Sequence, residues 1–89
     1  MNLNIAMSID KKELVRRVSQ RLNRESSEVE EVIDATVEEV YESLQQGNSV
    51  TLKNFGTFYV RAEAKTWVFK FNPSQRLRKL FNWSSTYKG

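Results

Sequence analysis

Cations are the chemistry this sequence offers. It has no histidine and no cysteine, so it lacks the side chain suited to proton transfer near neutral pH and the one that serves as thiolate nucleophile or metal ligand. Its serines, several of them at helix starts or in the C-terminal tail, have no apparent base partner. There is no glycine-rich phosphate loop and no glycine-bearing EF-hand loop. The acids Glu30, Glu31, Asp34, Glu38, Glu39 and Glu42 read as solvent-facing groups that pair along a helix, not as catalytic acids or metal ligands. No enzyme, cofactor or metal site is expected. What remains is charge, and it is unevenly placed. Residues 1–47 carry six Lys/Arg against ten Asp/Glu, a net −4, while residues 48–89 carry eight against one, a net +7. A half this basic suggests an anionic partner, although a solvated basic face has the same composition.

The periodicity predicts the elements that must hold those charges. Asp10 is placed to accept from the exposed N–H groups of a first helical turn, and Glu13 completes a capping-box pattern. Leu14, Val15, Val18 and Leu22 then recur at helical spacing. Ser26 or Ser27 is expected to cap a second helix, whose stripe of Val29, Val32, Ile33, Val37, Val40, Tyr41 and Leu44 exceeds what the first helix can cover. Gly47 stops it. The period then becomes alternating: Val50 and Leu52 on one face, Thr51 and Lys53 on the other. Gly56 marks a turn or bulge. Phe58 and Val60 oppose Thr57, Tyr59 and Arg61, and Ala62 to Thr66 must contain a reversal. Trp67, Phe69 and Phe71 alternate with Val68 and Lys70. Pro73 is expected at the first position of a last helix, with Leu77, Leu80 and Phe81 inward and Arg76, Arg78 and Lys79 outward. The class is α+β: two N-terminal helices, a three-stranded antiparallel sheet with a short hairpin, and a C-terminal helix.

At 89 residues this is one domain, with a core thin for a chain on its own. Without cysteine, self-association is the remaining route to more buried surface. No apolar run reaches the ~18–20 residues of a membrane span, and Met1 to Ser8 lacks the charged and apolar regions of a signal peptide. A soluble, intracellular protein is expected. Its divisions are an N-terminal extension (1–8), the domain (9–81) and a polar tail (82–89) carrying Trp83 and Tyr87.

Four segments carry a resemblance: "IDKKELV", the glycine after "YESLQQG", "VTLKNFGTFYVR" and "FNPSQRLRKLF". In order and spacing they resemble the HU/IHF family of bacterial histone-like DNA-binding proteins. The third is similar to the family pattern V-x-L-x-G-F-G-x-F and the last to F-K-P-G-K-x-L-K, with Phe55, Gly56, Phe58, Pro73 and Leu77 in register. The resemblance implies an intertwined homodimer, or a heterodimer with a family member, that binds double-stranded DNA on the nucleoid, with no small-molecule substrate and no membrane. It also implies a long β-ribbon arm ending in a proline that wedges between base pairs. Here the chain departs from the pattern. Thr57–Ala64 runs almost directly into Thr66–Phe71, and the R-N-P arm tip has no counterpart. Glu63 stands where a basic arm residue is usual, Asn54 replaces a glycine, and Ser74-Gln75 replaces Gly-Lys.

Carried over position by position, the resemblance implies phosphate contacts from Lys11 at the first helix start, Lys53 and Asn54 at the strand corner, Arg61 on the second strand, and Ser74, Gln75, Arg76 and Arg78 at the last helix. Such contacts give salt-dependent affinity without reading sequence. Without the arm, bending should be weaker than in armed relatives. The rival expectation is a protein-interaction module that has lost DNA and modulates an armed family member. A third, base stacking on Trp67, Phe69 and Phe71, is weighed below their packing onto the helices and a dimer partner.

Overall fold

The computed structural model describes residues 7–82, so Trp83 and Tyr87 lie outside the described residues. The elements are α1 (Lys11–Leu22), α2 (Ser26–Gln45), β1 (Val50–Leu52), β2 (Gly56–Glu63), β3 (Thr66–Pro73) and α3 (Gln75–Leu80). The strands form one antiparallel sheet in the order β1-β2-β3. The observed class is the expected α+β. The chain divides between Glu38 and Glu39, inside α2, into two compact units.

In the first unit, Asp10 caps α1 by accepting from the Glu13 N–H at 2.9 Å. Glu13 does not reciprocate as a capping box would. Its carboxylate accepts instead from Arg16 and Arg17, one turn on. These cations hold the Glu13 carboxyl at about 2, below its ordinary 4.5, with Arg16 the larger influence. Asn23 ends α1 in the left-handed region at φ 54°, and the Arg24 N–H reaches back to the Ser19 carbonyl at 3.0 Å. Asn tolerates this geometry better than most residues. The serines expected to cap α2 lie inside its first turn: the Val29 N–H bonds the Glu25 carbonyl, so the helix is entered one residue earlier. Val15 and Val29, 6% and 5% exposed, are the buried aliphatic side chains among the described residues; Leu14, Leu22, Val32 and Val37 are exposed.

In the second unit, α2 ends at Gly47 (φ 84°), where the Gly47 and Asn48 N–H groups bond back to Leu44 and Ser43. This pair of bonds satisfies carbonyls that the helix end leaves open. Three residues, Lys53–Phe55, join β1 to β2, with Asn54 left-handed at φ 68°. Only Ala64 and Lys65 join β2 to β3, because Glu63 already pairs with Thr66. Gly56 sits at φ 155°, and a Cβ there would lie 2.6 Å from the Asn72 carbonyl oxygen and 2.7 Å from the Phe71 ring. Glycine is required at this crossing of strands.

The last helix differs from expectation. Pro73 is the final residue of β3, paired with Gly56 and buried. Ser74 is the cap: its side chain accepts from the Leu77 N–H at 3.3 Å. A hydroxyl that can hold the first turn displaces proline from that role. α3 has six residues and stops before Phe81, whose backbone is extended. Leu80 and Phe81 are therefore exposed rather than inward, and only Leu77 is half-buried.

Candidate nucleic-acid interface

The strand register sorts side chains onto two faces, because successive residues of a strand point to opposite sides. The pairs Val50–Phe58, Phe58–Phe71, Val60–Phe69 and Ala62–Trp67 make one face apolar. The pairs Thr51–Thr57, Thr57–Asn72, Tyr59–Lys70 and Arg61–Val68 make the other largely polar. On the apolar face Phe58 lies 4.9 Å from Phe71 and 6.1 Å from Phe69, centroid to centroid, and Phe55 lies 5.6 Å from Phe71. Such rings hold the sheet rigid beneath whatever the polar face presents.

On the polar face, one carboxylate gathers two cations. Glu63 Oε2 accepts from Arg61 Nε at 3.1 Å and Nη2 at 2.5 Å, and lies 3.1 Å from Lys70 Nζ. Arg61 and Glu63 are two apart on β2 and so share a side. Lys70 stands opposite Tyr59, and its long stem runs along the sheet to reach Glu63. Lys70 is 7% exposed, and a buried ammonium needs its charge compensated. Arg61, first, and Lys70, second, hold the Glu63 carboxyl below its ordinary value. At the other end of the face, Arg78 donates to the Asn72 side-chain oxygen at 2.8 Å. Thr51 and Thr57 share a hydrogen bond of 2.9 Å between them.

The positions expected to meet phosphate are distributed unequally. Lys53 and Asn54 occupy the exposed turn between β1 and β2. The Ser74 N–H donates to the Phe55 carbonyl at 2.9 Å, which brings the start of α3 to that turn. Gln75, Arg76 and Arg78 follow on α3 with exposed side chains. These six and Arg61 all belong to the second unit. Lys11 belongs to the first, where its ammonium lies 3.1 Å from both Glu30 and Asp34. Asp34 foremost, then Glu30, raise its pKa above the ordinary 10.5. Lys70 is a cation of the polar face that is absent from the expected site. Its signal is present in the sequence: it alternates with the aromatics and so shares a face with Arg61.

Among the described residues no cluster of three or more Asp, Glu, His or Cys could hold a metal, and no helix is long and apolar enough to cross a membrane. Residues 9–67 match the family model described as bacterial DNA-binding protein. The chain belongs to the HU/IHF family. That family consists of non-enzymatic DNA-binding proteins. The chain is 44% identical over 57 residues to DNA-binding protein HU of Xylella fastidiosa (strain Temecula1), covering 64% of this chain and 61% of that protein. It spans less than two thirds of the length of the curated relatives it matches. Its fold is similar to HU from Thermotoga maritima (TM-score 0.69, 31% identity, 80% of this chain and 96% of that one). It is also similar to the HU of an Anabaena HU–DNA cocrystal (TM-score 0.73, 25% identity, 80% and 95%).

Proposed function

We propose that this protein is a dimeric, HU/IHF-type binder of duplex DNA that holds backbone phosphates, reads little sequence and bends the duplex less than armed relatives do. The observation that carries this reading is the segregation of the sheet. Its cations and most of its polar groups lie on one side with Tyr59, its phenylalanines and Trp67 lie on the other, and Lys53, Arg76 and Arg78 stand at the end where the strand turn meets α3. Cations on a rigid sheet and helix contact phosphates at fixed spacing without reaching base edges. In a cell such a protein would sit on the nucleoid.

The dimer is supported by what a single chain leaves uncovered. Trp67 and Phe69 are 68% and 55% exposed. With Tyr41, Leu44 and Val60 they line a groove of roughly 740 Å³. A second copy, or another family member, burying this surface removes the cost of presenting it to water. The same burial favours packing over base stacking for these aromatics. Reduced bending is supported by the two-residue turn: Ala64 and Lys65 leave no extended ribbon, and the one proline is buried at the end of β3.

Fluorescence anisotropy of a labelled duplex, titrated at several salt concentrations, tests the reading. Binding should weaken steeply with salt. Lys53→Ala and Arg78→Ala should each remove one phosphate partner. For each protomer engaged, this should flatten the log–log slope by about 0.9 and lower affinity roughly eightfold at 0.1 M salt. Absence of binding at low salt would move the protein to the interaction-module reading.

A further inference from the structure

The polar face contains an anion site that is already filled from within. Two cations on neighbouring strands converge on a single carboxylate oxygen. A phosphate oxygen carries the same kind of charge and accepts the same donors. We infer that Glu63 is an internal competitor for DNA phosphate: its carboxylate occupies the position between Arg61 and Lys70 that a backbone phosphate would take, and so sets how weakly the hairpin face holds a duplex. The inference rests on the DNA-binding reading and adds to it the residue that limits affinity.

Three observations support it. The Glu63 side chain is 29% exposed and Arg61 is 52% exposed, so the pair lies where a duplex could reach it. Lys70 is buried, so once the carboxylate loses its charge the ammonium gains from any outside anion brought near it. And the carboxylate weakens attraction at a distance: removing its charge raises the net positive charge of this face by one. A phosphate approaching the native face must displace a carboxylate that is covalently tethered and therefore always at high effective concentration.

Glu63→Gln removes the charge while its amide oxygen still accepts from Arg61. The test is anisotropy on one duplex between roughly 20 and 300 mM salt, a span over which counterion release is resolved, with far-UV circular dichroism confirming the fold. For each protomer engaged, Glu63→Gln should bind roughly eightfold more tightly at 0.1 M salt, with a slope steeper by about 0.9. Glu31→Gln, the same charge change on an exposed residue of α2, should leave both unchanged. Adding Arg61→Gln to Glu63→Gln should cancel the gain. In the native background Arg61→Gln should weaken binding less than Lys53→Ala, a comparison that stands even if Glu63→Gln folds poorly. Native protein that binds DNA while Glu63→Gln binds no more tightly overturns this inference and leaves the DNA reading in place. An equal gain from Glu31→Gln overturns it as a diffuse charge effect. Binding by Glu63→Gln alone overturns the DNA reading of the native protein and supports Glu63 as the residue that keeps a duplex off this face. No binding by either at low salt overturns both readings.

Discussion

The two faces of the β2–β3 hairpin share one backbone and one register, yet they divide the work. The apolar face interlocks Phe55, Phe58, Phe69 and Phe71. The polar face is a chain of partnered charges and hydroxyls, from Thr51–Thr57 through Asn72–Arg78 to Glu63 with its two cations. Exposed pairs such as Arg61–Glu63 contribute little to stability, whereas ring burial and the pairing of the buried Lys70 contribute more. The exposed part of the polar face can therefore be altered for binding at little cost to the fold, provided the rings and the partner of the buried Lys70 are left intact.

The largest effect comes from breaking both faces together. Gly56→Ala places a Cβ against the Asn72 carbonyl and the Phe71 ring at a φ of 155°. Strain and clash together should cost about 2–4 kcal/mol, read as a lowered urea midpoint. A cost below ~1 kcal/mol would mean that the strands separate there easily and that the shared register constrains the two faces only weakly.

A second pair of variants separates the faces. Phe58→Ala removes a half-buried ring in contact with three others and should cost about 2 kcal/mol, less than a fully buried phenylalanine. Its polar-face neighbour Thr57→Val breaks one exposed hydrogen bond and should cost about 0.5 kcal/mol. Equal costs in chemical denaturation would erase the division between the faces.

This division is legible from sequence because alternation alone assigns faces. Phe58, Val60, Trp67, Phe69 and Phe71 can be grouped without knowing which residue pairs with which. The partners of the charges cannot. Glu63 meets Lys70 only because a two-residue turn sets Glu63 opposite Thr66, leaving Lys70 within reach along the sheet. Lys11 is hidden for the same reason: its acids lie 19 and 23 positions away on α2, and neither spacing announces a contact. The start of α3 is ambiguous for a local reason. Asn-Pro and Pro-Ser both resemble helix entries, and the bond from Leu77 to the Ser74 hydroxyl decides between them.

Acid reaches one ion-paired carboxylate in each unit. Glu63 on the polar face and Glu13 on α1 both have carboxyl pKa values lowered by neighbouring cations, Glu13 to about 2. A lowered folded value means the unfolded chain binds protons first. The contribution is therefore complete above the ordinary 4.5 and is lost as pH falls towards the folded values. Thermal melts between about pH 6 and about pH 2 should show less acid destabilisation in Glu13→Gln and Glu63→Gln than in the native protein. Parallel curves for all three would remove both ion pairs from the stability of the fold.

The smallest effect concerns the turn that joins the faces. Two corners of the sheet each use a left-handed residue: Asn54 at φ 68° and Ala64 at φ 54°. Asn54 is suited to it, since its short polar side chain tolerates that region. Its corner is also tied to α3 by the Ser74–Phe55 bond. Ala64 has a Cβ and no such side chain, so it bears the steric penalty of left-handed backbone directly. Ala64→Gly relieves that penalty but gives the unfolded chain more freedom. The net should be a gain of up to ~1 kcal/mol, visible as a small rise in Tm. DNA affinity should not change, because neither Ala64 nor the replacement carries charge. A loss of stability would show that the tight closure between Glu63 and Thr66 is held by the strands on either side and not limited by its own first residue.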